Sequence, residues 1–161
     1  MNTANTVIEV LLAWAVGLTI AGLVYGPIIA IAQGADVGGI LAAIVLTPTN
    51  LLLSFTIGAM ISTPLMVLGV LAAHFIGVRA AERPLFWTGI STLGGTVFFG
   101  LGDAVARGGI LGGGSGLIRP PHPVIIADLT IIALAVFGGS LFYCRRLRAR
   151  LSAIGGDGAG R

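Results

Sequence analysis

Four long apolar stretches constrain the fold of this chain more than any other feature of the sequence. They cover residues 7–32, 50–78, 85–105 and 124–144, so the shortest holds 21 residues. A helix needs about 20 apolar residues to cross the hydrocarbon core of a bilayer. Because lipid cannot bond to backbone groups, such stretches cross as helices. The pattern predicts an all-α, polytopic membrane bundle with four transmembrane helices in one domain, residues 1–151.

Composition supports a membrane environment. Only 9% of the 161 residues are charged, and the mean hydropathy is +1.03. Soluble domains carry about 25% charged residues. So few charges cannot solvate a globular surface of this size, and we expect lipid to be the main solvent.

Proline and glycine residues divide the chain between the apolar stretches. Residues 38–47 are too short to cross, and Pro48 disfavours helix just before it, so they predict a short interfacial or re-entrant piece. An alternative splits residues 40–78 into two spans. The first span is longer than the bilayer core, and tilt or a bend at Gly26-Pro27 can absorb the excess. A kink is expected at Pro64 in the second span. The Gly-rich tail, residues 152–161, is expected to be disordered.

The arginine distribution predicts the orientation of the chain in the membrane. Short cytoplasmic loops carry an excess of basic residues. A cytoplasmic C-terminus places Arg79, Arg83 and a cluster that also suits contact with anionic lipid on the inner side: Arg145, Arg146, Arg148 and Arg150. Four spans then place both termini in the cytoplasm of a bacterium, with the protein in its inner membrane.

Acidic residues within or near the spans are the strongest candidates for a site. Asp103 and Asp128 lie near the outer ends of the third and fourth spans, on the same side as Arg107 and Arg119. One interpretation is a salt-bridge cluster at the outer rim. The other is a polar site for a proton, an ion or a lipid headgroup.

Other polar residues point to structure rather than chemistry. Glu9, at the inner end of the first span, is expected to pair with Arg83 or Arg145. His74 and His122 fall on opposite faces of the membrane, so they cannot share one metal ion. The lone Cys144 excludes an internal disulfide and a cysteine-based zinc site. No hydrolase triad or zinc-protease motif is present. We therefore predict no enzyme activity, no cofactor, no metal site and no nucleic-acid partner.

Residues 63–150 carry a pattern of Pro, Gly, aromatic and Arg positions. A Thr-Pro-Leu-Met-Val-Leu start leads to Arg79, Phe98-Phe99 precedes Asp103 and Gly109-Ile110-Leu111, and Pro120-Pro121 opens a span closed by Arg145-Arg146. This pattern resembles the C-terminal membrane half of the LptF/LptG permeases of lipopolysaccharide export. The family carries a large periplasmic β domain for which this chain has no segment. The resemblance therefore implies a reduced permease subunit in lipid export.

Three functional hypotheses follow. The resemblance implies a permease subunit that partners a cytoplasmic ABC ATPase, with Arg107 and Arg119 at lipid phosphates. Few intramembrane charges and many small-residue faces instead favour a non-catalytic accessory or assembly subunit of a larger membrane complex. The third hypothesis is an ion or proton pathway through Asp128. Membrane lipids and other membrane subunits are the expected partners.

Overall fold

A computed structural model describes residues 3–106 and 123–156. The described residues are almost all helical and contain no strand, which confirms the predicted all-α class. The helices are α1 (Thr3–Ala32), α2 (Val37–Val45), α3 (Thr47–Leu53), α4 (Ala59–Glu82), α5 (Pro84–Ala106) and α6 (Pro123–Gly156). A π-helical turn, Ser54–Gly58, joins α3 to α4, so one helical path runs from Thr47 to Glu82.

Three of the described helices are long and apolar enough to cross a membrane: Asn5–Ala32, Thr47–Ile76 and Ile125–Ala153. These correspond to the first, second and fourth predicted spans. The third predicted span is a continuous helix, α5, whose 23 residues extend for about 35 Å. Its Gly and Thr residues make it less apolar than the other three. The structure therefore shows three helices that are long and apolar enough to cross a membrane.

The turn after α1 and the start of α2 follow from local chemistry. Gly34 has a φ of 73°, a left-handed conformation that glycine adopts without steric cost. Asp36 then caps α2, because its Oδ1 accepts a hydrogen bond of 2.8 Å from the backbone N–H of Gly39. The nine residues of α2 extend for only about 14 Å. This helix occupies most of the stretch predicted to be a short interfacial or re-entrant piece.

The residues that lie against glycines show whether neighbouring helices run parallel or antiparallel to each other. Along α6, Gly139 lies against the Ala13 backbone of α1, while Gly17 of α1 lies against Ala135. α1 and α6 are therefore antiparallel, and similar contacts make α5 antiparallel to α6 and α4 antiparallel to α1. The start of α1, the α4–α5 connector and the end of α6 thus meet at one end of the bundle, which we call the arginine end.

The best-packed part of the molecule lies near the arginine end. Its buried members come from α1, α4 and α6: Val10, Ala13, Ala80, Ala81, Tyr143, Cys144 and Leu147. Towards the opposite end, α4 packs against α1 and makes little contact with α5. No residue of Thr47–Ile76 is buried. The bundle is therefore closed at the arginine end, whereas α4 forms an uncovered edge.

Pro27 lies inside α1 and Pro64 inside α4, and both helices continue through them, so the bends considered there stay predictions. Helix α6 extends to Gly156, well into the tail for which we expected disorder. Leu151, at the start of this extension, packs against the core near Ala81. Residues 157–161 lie outside the described part of the chain.

Candidate functional site at the arginine end

A buried carboxylate ties the first helix to the last. Glu9 is only 1% exposed, and its two oxygens lie 2.6 Å from Arg146 Nε and 2.5 Å from an Arg150 terminal nitrogen. The two arginines are four residues apart on α6, so they share one face of that helix. Both arginine side chains remain partly exposed, at 42% and 44%. We call Glu9, Arg146 and Arg150 the ionic clasp.

The sequence predicted an ion pair for Glu9 but assigned it to Arg83 or Arg145. The structure corrects this assignment, because the face of α6 that meets α1 carries Arg146 and Arg150. Successive helical residues are rotated by about 100°. Arg145 therefore points away from Glu9, although it is adjacent to Arg146 in sequence.

Polar groups inside the bundle surround the clasp. Thr6 is nearly buried one turn before Glu9. Tyr143 is buried near Glu9, and its hydroxyl has no hydrogen-bond partner among the described residues. Thr88 is fully buried and faces the thiol of Cys144. These contacts connect α1, α5 and α6 at the same level of the bundle.

An open groove of about 470 Å³ lies on the surface of α6 beside the clasp. Its lining comes from one face of the helix: Gly138, Leu141, Phe142, Arg145 and Arg146. The Arg146 guanidinium lies 5.9 Å from the centre of the Phe142 ring, within the range of a cation–π contact. We call this feature the α6 groove.

The fourth arginine of the cluster lies elsewhere on α6. Arg148 lines a smaller cavity of about 260 Å³ between α4 and α6, together with Ala81, Glu82 and Leu151. The four arginines that the sequence presented as one cluster are therefore divided in three dimensions. Two form the clasp, Arg145 lines the groove, and Arg148 faces α4.

The predicted outer-rim cluster is described only in part. Asp103 lies in the last turn of α5, and Asp128 is half-buried in the second turn of α6. Because Gly100 packs beside Leu129, these two helical positions lie at a similar level, opposite the arginine end. Arg107 and Arg119 lie outside the described residues, so their predicted pairing with the two acids remains a prediction.

The histidines and possible metal ligands that the structure describes are not grouped into a further cluster. His74 is exposed on α4, with its ring edge-to-face with Phe75. His122 lies outside the described part of the chain. Within that part, no three His, Cys, Asp or Glu side chains are grouped to hold a metal ion.

Sequence reasoning missed the clasp partners and the α6 groove. The four-residue spacing of Arg146 and Arg150 was a usable signal for a shared helical face. The groove had no comparable signal, because it depends on how α6 packs in three dimensions. Comparison of the chain with known protein families, curated proteins and solved structures found no match.

Proposed function

We propose that this protein is a non-catalytic subunit of a larger complex in the bacterial inner membrane, which it crosses four times with the arginine end in the cytoplasm. The orientation is supported by charge. Every arginine that the structure describes lies at that end, namely Arg79, Arg83, Arg145, Arg146, Arg148 and Arg150. Such an excess of arginine is typical of cytoplasmic segments.

The proposal of a partner subunit rests on the uncovered side of α4. No residue of Thr47–Ile76 is buried, whereas 28% of an apolar 18-residue stretch of Asn5–Ala32 and 17% of one in Ile125–Ala153 are buried. The first and last of these helices thus bury part of their surface against neighbours, whereas the second leaves one side uncovered. A helix of another membrane protein would fit along that side.

The chemistry of this edge favours protein over lipid alone. Lipid would cover its apolar side chains, such as Met60 and Phe75, which are each 79% exposed. However, the imidazole of His74 is exposed on the same helix. Ionisable side chains within membrane spans almost always face protein or a water-filled cavity. A partner helix on α4 would supply both apolar contact and a hydrogen-bond partner for His74.

Photo-crosslinking in cells tests this proposal. A benzoylphenylalanine residue replaces Met60 or Phe75 on the α4 edge, and Leu134, which is 41% exposed on α6, serves as the control position. We expect both α4 positions to give one discrete protein adduct, heavier than the 16.3 kDa chain, and Leu134 to give none. Adducts to lipid only, at all three positions, would contradict the proposal.

A reduced LptF/LptG-like permease subunit in lipid export is the second candidate. It is favoured by the alternating directions of α4, α5 and α6, with arginines at the ends of α4 and α6, as the resemblance implies. Such a subunit would partner a cytoplasmic ABC ATPase. Purification of the adduct-forming complex separates the candidates, because a permease retains an ATPase subunit and lipopolysaccharide and an accessory subunit retains neither.

A further inference from the structure

The α6 groove combines an apolar wall with positive charge at one end. Gly138, Leu141 and Phe142 form the apolar part. Arg145 and Arg146 lie at the basic end of the groove, one turn further along α6. Its volume of about 470 Å³ lies within the roughly 300–1,000 Å³ of small-molecule clefts. The order along the helix, from apolar to basic, matches the order from acyl chain to phosphate in a lipid of the cytoplasmic leaflet.

Among the residues that the structure describes, the positive charge at this end of the groove exceeds the negative charge. Glu9 is the acidic partner of both Arg146 and Arg150, so the ionic clasp retains one positive charge. No described acidic side chain forms an ion pair with Arg145, which is exposed. The groove therefore presents Arg145 together with the surplus charge of the clasp. That arrangement suits a phosphate, because arginine donates two parallel hydrogen bonds to phosphate oxygens.

Packing fixes the position of one of these charges. Arg146 is held between the Glu9 carboxylate and the Phe142 ring, so little side-chain freedom remains to be lost on binding. At the apolar end, Gly138 carries no side chain of its own, and the Ile20 side chain of α1 packs against it. An acyl chain can thus lie along Leu141 and Phe142 with its headgroup at the arginines.

We propose that the α6 groove binds an anionic glycerophospholipid, such as phosphatidylglycerol, from the cytoplasmic leaflet. This inference rests on the proposed membrane orientation, which places the groove at the inner headgroup level. It goes beyond a general attraction of basic residues to the membrane surface, because it assigns the contact to Arg145 and excludes Arg148, which faces Glu82 on another side of α6.

Spin-labelled lipids in reconstituted vesicles test the assignment. The full chain is placed in phosphatidylcholine vesicles with a trace of spin-labelled phosphatidylglycerol or spin-labelled phosphatidylcholine, and electron paramagnetic resonance gives the two association constants. We expect a preference for phosphatidylglycerol that Arg145→Gln lowers about fivefold, the equivalent of the roughly 1 kcal/mol per basic residue near a charged lipid surface. Arg148→Gln is the matched control and should leave the preference unchanged.

Other results of the experiment distinguish the lipid site from the membrane proposal. Arg145→Lys keeps the charge and should restore most of the preference, which excludes misfolding as the cause. Equal losses in Arg145→Gln and Arg148→Gln would overturn the groove in favour of diffuse surface attraction. A chain that floats with the vesicles but shows no lipid preference overturns the lipid site alone. A chain that does not float overturns the membrane proposal and the lipid site together.

Discussion

Glu9 shows why one buried charge can be tolerated in so apolar a chain. Its side chain is almost fully buried, but each carboxylate oxygen faces a guanidinium nitrogen within 2.6 Å. A buried carboxylate without such partners costs several kcal/mol, on the order of the whole stability margin of a small domain. The clasp therefore fixes the rotation of α6 against α1, because only one face of α6 carries both arginines.

Removing the acidic side of the clasp should lower the free energy of unfolding less than removing its two arginines. Glu9→Gln leaves two arginines that are already partly solvated, so we expect a loss of about 1–2 kcal/mol in the free energy of unfolding. The double variant Arg146→Leu with Arg150→Leu leaves the carboxylate buried without partners, so a loss of about 3–5 kcal/mol is expected. Unfolding of the detergent-solubilised protein by SDS titration measures both. Glu82→Gln, at an exposed residue, is the control, and equal losses in the two clasp variants would refute this asymmetry.

The residue scale is also where sequence reasoning reached its limit. The need of Glu9 for an arginine followed from its place in an apolar helix. The identity of that arginine did not follow, because neighbouring residues on α6 point in different directions and only the packing of α1 selects among them. The division of the arginine cluster into clasp, groove and α4-facing residues was hidden for the same reason.

At the scale of the helices, glycine allows the backbones of α1 and α6 to approach closely. A Cβ atom added at Gly139 would lie 2.6 Å from the Ala13 carbonyl oxygen, and one at Gly17 would lie 2.9 Å from that of Ala135. Both neighbours are backbone atoms, which cannot move aside as a flexible side chain can. Small residues at helix interfaces serve this purpose in membranes.

Adding one methyl group should therefore affect the stability of the bundle differently at Gly139 and at Gly94. We expect Gly139→Ala to destabilise the bundle by about 1–3 kcal/mol, because α1 and α6 must separate. Gly94→Ala on α5 meets nothing within 4 Å and should be neutral or stabilising by up to about 1 kcal/mol through helix propensity. Thermal unfolding in detergent compares the two variants. A similar loss at both positions would show that this contact does not hold α1 to α6.

The helices themselves were largely predictable from the sequence. Apolar length located α1, the path from Thr47 to Glu82, α5 and α6, because a bilayer-crossing helix leaves a signal in composition alone. Helix ends were less predictable: α6 continues to Gly156, five residues beyond Leu151, which packs against the core. The π-helical turn at Ser54–Gly58 had no signal in the apolar pattern.

At the scale of the whole molecule, the charges and the packing are unevenly distributed along the bundle. The described arginines and most of the core lie at one end, whereas one side of α4 is left uncovered. A closed, charged end and an open apolar edge suit a membrane subunit that is anchored at the inner surface and completed by a partner. This interpretation depends on the arginine end lying in the cytoplasm.

A topology measurement with alkaline phosphatase tests that orientation most directly. The enzyme is active only outside the cytoplasm, and it is fused after Gly113, between α5 and α6, or after Arg161 at the C-terminus. Four crossings with the arginine end inside predict activity from the Gly113 fusion and none from the Arg161 fusion. Activity at Arg161 with none at Gly113 would contradict the account.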